Sequence, residues 1–176
     1  MKGILPSLNT PFTNLGELDL DSLTRLVEHT ILSGCGGMLG LAVAGEHNTL
    51  NFDEKIQFIK TVTKVNKRRI PFICSVTAAD VDESIELTKS ANSFDADGIC
   101  VQLPATFKFS QKENFLKKLE KLSPRILMIQ DLDWSGDGMA LEEIVKLFHS
   151  VDKFNWLKIE TVGAGKKYRA VLKELN

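Results

Sequence analysis

Six short apolar runs punctuate the chain: Gly3–Leu8, Gly37–Val43, Ile70–Ser75, Gly98–Leu103, Arg125–Gln130 and Phe154–Glu160. Their length and bounding turn residues predict strands. Between them lie amphipathic stretches with helical spacing. Asp19 to Ser33 places Leu20, Leu23, Leu26, Val27 and Ile31 on one face, with Ser33-Gly34 as the stop. The next stretch opens on Asn51 with Glu54 three residues later, a capping-box arrangement, and runs through Ile56, Phe58, Ile59 and Val62. Asp80–Ala91, Gln111–Leu122, Met139–Phe148 and Lys166–Leu175 supply the remaining helices. Six βα units in succession, with no proline-rich linker, predict one α/β domain over residues 1–176 with a parallel sheet.

Two architectures suit this order. A doubly wound sheet would place a glycine-rich turn after its first strand, and PSLNTPF has none. Gly34-Cys35-Gly36-Gly37 lies at the wrong end of its strand to cradle a phosphate. A (β/α)₈ barrel fits the repeat better, but typically takes about 250 residues. Six units therefore predict an incomplete barrel that lacks its last two βα units.

Composition narrows the partners. The chain has 176 residues, 43% hydrophobic and 26% charged, with a net charge of −1, so nothing electrostatic draws it to nucleic acid or a membrane surface. No apolar run approaches the ~20 residues of a membrane span, and proline breaks the N-terminus too early for a signal peptide, which makes the cytoplasm the expected location. Cys35, Cys74 and Cys100 are widely spaced and form no C-x-x-C; they read as buried reduced thiols. His29, His47 and His149 show no ligand spacing either, so neither a metal nor any other cofactor is expected.

One residue breaks the pattern. Lys158 sits inside the apolar run FNWLKIETVG. A lysine there guards a strand edge against unwanted pairing, or it serves as a nucleophile whose amine burial has freed. Strict alternation puts Phe154, Trp156, Lys158 and Glu160 on one face, and Leu157 and Ile159 on the other.

The local motifs bear on that choice. TPFTNLGELDLDSLTRLVEHTILSGCGGMLGLAVAGEHNTLNFDEK resembles the N-terminal quarter of the dihydrodipicolinate synthase and N-acetylneuraminate lyase family, pyruvate-type class I aldolases. The marks are Thr10-Pro11-Phe12, Gly16 with Leu18 and Asp19, Ala44-Gly45-Glu46 followed by Thr49-Leu50, Ala96-Asp97-Gly98, and Lys158 in the sixth run. The resemblance implies a TIM-barrel type (β/α) repeat, here its first six units. It also implies that Lys158 forms a Schiff base with a small 2-keto acid, on the concave face near Glu46 and Gln130.

The chain departs from the family pattern in two places. The usual glycine-threonine-threonine-glycine-glutamate run stands here as Ala42-Val43-Ala44-Gly45-Glu46, so two hydroxyls that hold the substrate carboxylate are gone. Backbone N–H groups near Val43 and Ala44 remain as anion donors. The usual tyrosine-asparagine pair stands as Gln130-Asp131, and the proline and arginine that follow it are absent from LDWSGDG. Gln130 has no titratable proton, so it positions a substrate without acting as acid or base. Proton transfer then falls to Asp131, Glu46 or Glu160. Each has a plainer reading: a turn ligand for Asp131, a helix cap for Glu46, an ion pair with Lys158 for Glu160. His47 reads as a solvated loop residue, and Trp134 as packed under its loop. The expected activity is a Schiff-base aldolase or lyase that is not a true dihydrodipicolinate synthase. The alternative is an inactive family member that binds a small molecule or a partner. An unclosed sheet, with apolar side chains exposed on its inner face, predicts a homo-oligomer.

Overall fold

The computed structural model describes residues 2–122 and 125–175. Helices and strands alternate: α1 (Leu20–Leu32), β1 (Met38–Gly40), two short 3₁₀ turns (Val43–Gly45 and His47–Thr49), α2 (Phe52–Asn66), β2 (Phe72–Ser75), α3 (Val81–Ser93), β3 (Gly98–Gln102), α4 (Phe109–Leu122), β4 (Ile126–Asp133), α5 (Leu141–Ser150), β5 (Phe154–Thr161) and α6 (Ala164–Leu175). The strands pair in chain order, and every pair is parallel.

The first predicted strand is absent as an element. Residues Gly3–Leu8 run parallel to β1 through a single bridge, Ser7 with Leu39. Leu8 N–H donates to Leu39 O, and Leu39 N–H to Pro6 O. Pro6 has no N–H to return, and Gly3 takes a φ of 102°, so no ladder develops. The named sheet therefore has five strands where the sequence predicts six. β1 is also shorter than predicted, because Leu41 turns into the left-handed region at φ 53°.

Local chemistry sets the helix starts. Asp19 accepts the Ser22 N–H at 2.9 Å, and Asn51 and Glu54 close the capping box with bonds of 3.0 and 2.8 Å. The Ser22 hydroxyl and amide hold the Asp19 carboxyl below the usual carboxylate range. A carboxyl depressed in the folded state stabilises above its unfolded pKa, and that contribution is lost as pH falls through the folded value. Acidification from about pH 5 to about pH 2 should therefore weaken α1 more in the wild-type chain than in Asp19→Asn, read by circular dichroism melting.

Two apolar layers show where the helices sit. One unites the helices with alternate strand residues, among them Phe58, Leu116, Met38, Phe72, Ile99, Leu127 and Ile129. The other holds Leu39, Ala42, Ile73, Cys100 and Met128, with Ile126 and Trp156 against it, and contains no helix residue. The helices therefore cover one face, as the barrel pattern requires. The expectation of an exposed inner face fails, since Leu39, Ile73, Cys100 and Met128 are at most 6% exposed. These side chains cover one another.

Strict alternation along β5 also fails at one place. Leu127 pairs with Phe154 but Met128 pairs with Trp156, so Asn155 is an extra, bulged residue. Phe154 consequently joins the helix-side core, edge-on to Phe148 with centroids 6.2 Å apart. Trp156 and the residues that alternate with it keep the inner face.

The cysteines sort by layer. Burial pushes the Cys100 thiol up to about 12 and the Cys74 thiol higher still, whereas Cys35 is half-buried. A thiol reagent should label one cysteine of the native chain and all three in urea; rapid native labelling of Cys100 would contradict this packing.

Candidate active site

The site grows from the register of the two longest strands. Gln102, Gln130 and Lys158 are paired in a row across β3, β4 and β5. Gln130 alternates with Met128 and Lys158 with Trp156, so both side chains stand on the inner face. Glu160, two residues beyond Lys158, shares that face.

A single carboxylate oxygen organises them. Lys158 Nζ lies 2.6 Å from Glu160 Oε2, and Gln130 Nε2 donates to the same oxygen at 2.5 Å. Lys158 is about a quarter exposed at 26%, and Glu160 stands at 38%, so the amine is shielded by the sheet yet reachable from solvent. Cys100 sits in the inner layer close enough to feel both charges. Burial dominates there, and its thiol stays protonated at neutral pH. It is a wall of the site and not a nucleophile.

A cavity of about 640 Å³ opens at the C-terminal ends of β2 to β4, lined by Thr77, Gln102, Pro104, Lys112, Gln130 and Met139 among others. Lys158 and Glu160 do not line it, and Gln130 connects it to them: Gln130 lines the cavity and bonds the carboxylate that holds the amine. Lys112, on the rim, is neutralised by Glu143 of α5 at 3.0 Å.

The remaining predicted residues divide. Asp131 follows Ile129 to the helix side, where it accepts the Met139 N–H at 2.8 Å and pairs with Lys167 of α6. It is buried and engaged as a loop ligand, the plainer of its two readings. Val43, Ala44 and Gly45 form the first 3₁₀ turn after β1, with Glu46 in the left-handed region at φ 56° behind them. The Gly45 and Glu46 amides are spent on Ala42 O and Val43 O. Thr10 Oγ1 donates to Gly45 O and ties the N-terminal segment to the turn. Glu46 is exposed, beyond the strand at the opposite edge of the sheet from β5. Glu160, and not Glu46, is the carboxylate on Lys158. His47 is half-buried, and burial, then the Lys55 charge, holds its pKa below the usual value. Trp134 is 74% exposed and does not pack under its loop. The Asp131–Lys167 pair spans 36 residues, and no spacing in the sequence announces it.

The model of the Dihydrodipicolinate synthetase family matches residues 1–163. The 4-hydroxy-tetrahydrodipicolinate synthase of Rhizobium meliloti (strain 1021) is 36% identical over 114 residues, 65% of this chain and 39% of that protein. The 4-hydroxy-tetrahydrodipicolinate synthase 2 of Halalkalibacterium halodurans is 33% identical over 148 residues, 82% of this chain and 50% of its own length. The chain thus spans half or less of these relatives. The structure of the 4-hydroxy-tetrahydrodipicolinate synthase from Methylacidiphilum fumariolicum SolV superposes with a TM-score of 0.89 at 21% identity, over 100% of this chain and 59% of that one. That likeness shows the fold: a TIM-barrel type (β/α) repeat, present in part.

Proposed function

The chain belongs to the dihydrodipicolinate synthetase family, and from that membership we propose that it is a class I aldolase or lyase acting on a small 2-keto acid through Lys158. The observation that carries the reading is the shared carboxylate oxygen, 2.6 Å from Lys158 Nζ and 2.5 Å from Gln130 Nε2. An ammonium cannot attack a carbonyl, and Glu160 stands where it can take the surplus proton. The free amine then bonds to the ketone carbon, and the resulting carbinolamine expels water to give a protonated imine. That iminium withdraws electrons from the neighbouring carbon, so a C–C or C–O bond there can break or form. Val43 and Ala44 supply backbone N–H groups in place of the family's threonine hydroxyls. Gln130 positions the substrate and cannot relay a proton. For that reason the proposed reaction is not that of a classical dihydrodipicolinate synthase.

Borohydride reduction in the presence of pyruvate, followed by intact mass and peptide mapping, tests the reading. One pyruvyl adduct per chain is expected, on Lys158 alone. No adduct, or an adduct on another lysine, overturns it. Binding without turnover is the second reading, favoured by the missing titratable group at Gln130; an adduct that never proceeds to a product identifies it.

No helix among the described residues is long and apolar enough to cross a membrane. We propose self-association through β5, an eight-residue strand at the edge of the sheet among the described residues, flanked by exposed Val162, Tyr168 and Leu172. Light scattering should return a multiple of 19.6 kDa; a stable monomer at high concentration would contradict it.

A further inference from the structure

A second cavity, of about 450 Å³, lies at the opposite end of the strands from Lys158, where α2 and α3 end and the chain turns into β2 and β3. Lys60, Thr63, Lys64, Lys67, Arg68 and Phe94 line it, with one carboxylate, Asp95. Four cations therefore gather around one acid, in a chain of 22 basic and 23 acidic residues. Among the described residues, Lys60, Lys64 and Lys67 have no ion pair and no side-chain hydrogen bond. Arg68 reaches Asp95 at 3.4 Å, with both side chains more than half exposed, and Asp97 only at 4.0 Å. Asp97 is already held by Arg125 at 2.6 Å.

This arrangement costs the free chain stability. Lys60, Lys64 and Lys67 follow one another at helical spacing, where like charges repel. The backbone adds strain at the same place. Lys67 and Arg68 take left-handed φ values of 49° and 59°, and Asp95 takes 62°. These are three of the five non-glycine residues in that region among the described residues. Lys67 caps α2, a position glycine ordinarily takes. Arg69 beside them is tied to Glu28 at 2.6 Å and to Asn66 O, a structural task that Lys67 and Arg68 do not share. The helix dipole accounts for Lys64 in the last turn, but not for Lys60 or for Arg68 beyond the cap. A bound polyanion accounts for all four. Lys60 and Lys67 stand about 10 Å apart along the helix axis. A single phosphate meets part of that row, and a chain of phosphates meets the whole of it.

We propose that this cavity binds an oligophosphate, free or carried by a nucleotide, with Lys60, Lys64, Lys67 and Arg68 as its cationic wall. The proposal is independent of the aldolase reading, since it uses no residue of that site. Titration calorimetry on the full chain, with inorganic phosphate, tripolyphosphate and ATP, tests it. Tripolyphosphate should bind at least about tenfold more tightly than phosphate, because it meets more of the row. Lys64→Gln combined with Lys67→Gln should weaken tripolyphosphate by about tenfold. Lys146→Gln combined with Lys173→Gln removes the same charge from exposed positions on α5 and α6, and should change it by less than about twofold. Lys67→Gly relaxes the left-handed cap, so it should melt no lower than the wild type yet bind about threefold more weakly. ATP bound no more tightly than tripolyphosphate upholds the site for the phosphate chain alone; tighter ATP upholds it for a nucleotide, with Phe94 as the wall for the base. No saturable binding of tripolyphosphate at millimolar concentration, phosphate bound as tightly, or equal losses in the two double variants overturns the proposal.

Discussion

Glu160→Gln should slow imine formation at Lys158 by about a hundredfold to a thousandfold, the scale of a lost general base or acid. The side chain keeps its length and its place on the inner face, but the amide can no longer take a proton from the amine 2.6 Å away. The rate of borohydride-trapped adduct at saturating pyruvate measures the effect directly. Glu160→Asp keeps the charge and shortens the reach, so it should fall between the two. A purely structural ion pair predicts something else: a shift in melting temperature with the trapping rate intact. The Glu160→Gln rate separates these outcomes.

Much of this arrangement was legible in the residues. The apolar runs and amphipathic stretches located every helix and five strands, because burial on alternate strand positions and on one helix face leaves a periodic trace. Lys158 stood out for the same reason, as a charge in an apolar run. Geometry hid the rest. The run Gly3–Leu8 has strand composition, but Pro6 denies it a ladder, and a single bridge is all that forms. The Asn155 bulge shifts Phe154 to the other face, which strict alternation has no means to show. Gln130 and Glu160 are 30 residues apart and meet only because β4 and β5 pair in that register. The sequence proposes three carboxylates for proton transfer, and only folding puts one of them against Lys158. The inner face is covered because Leu39, Ile73, Cys100 and Met128 pack on one another with Ile126 and Trp156 against them, contacts between strands that residue order does not show.

Gly138→Ala should destabilise the chain by about 3 kcal/mol, since it disrupts a buried ion pair and adds backbone strain. Gly138 has a φ of 65°, where a side chain is already unfavourable. A Cβ built there would overlap Asp131 Oδ1 and come within 2.8 Å of Thr161 Cγ2. Asp131 cannot yield easily. It is 2% exposed, accepts the Met139 N–H at 2.8 Å, and pairs with Lys167, whose side chain is only 12% exposed. Moving the carboxylate strips the Lys167 ammonium of its counter-charge, leaving it the Asp137 carbonyl alone, and takes the acceptor from the Met139 amide. A melting temperature lower by roughly 6–12 °C is expected for a domain of this size. A double-mutant cycle with Asp131→Ala isolates the cause. If the overlap with the carboxylate carries the cost, Gly138→Ala should be far milder once that carboxylate is gone, leaving about 1–2 kcal/mol of left-handed strain. An effect within about 0.5 kcal/mol for Gly138→Ala alone, the range of ordinary surface changes, would show that this loop is not the clamp the geometry describes. The same variant bears on the site, because Asp131 is the residue that follows Gln130 on β4. If the clamp holds Gln130 against Glu160, its loss should also slow borohydride trapping of pyruvate at Lys158, at temperatures where the variant remains folded.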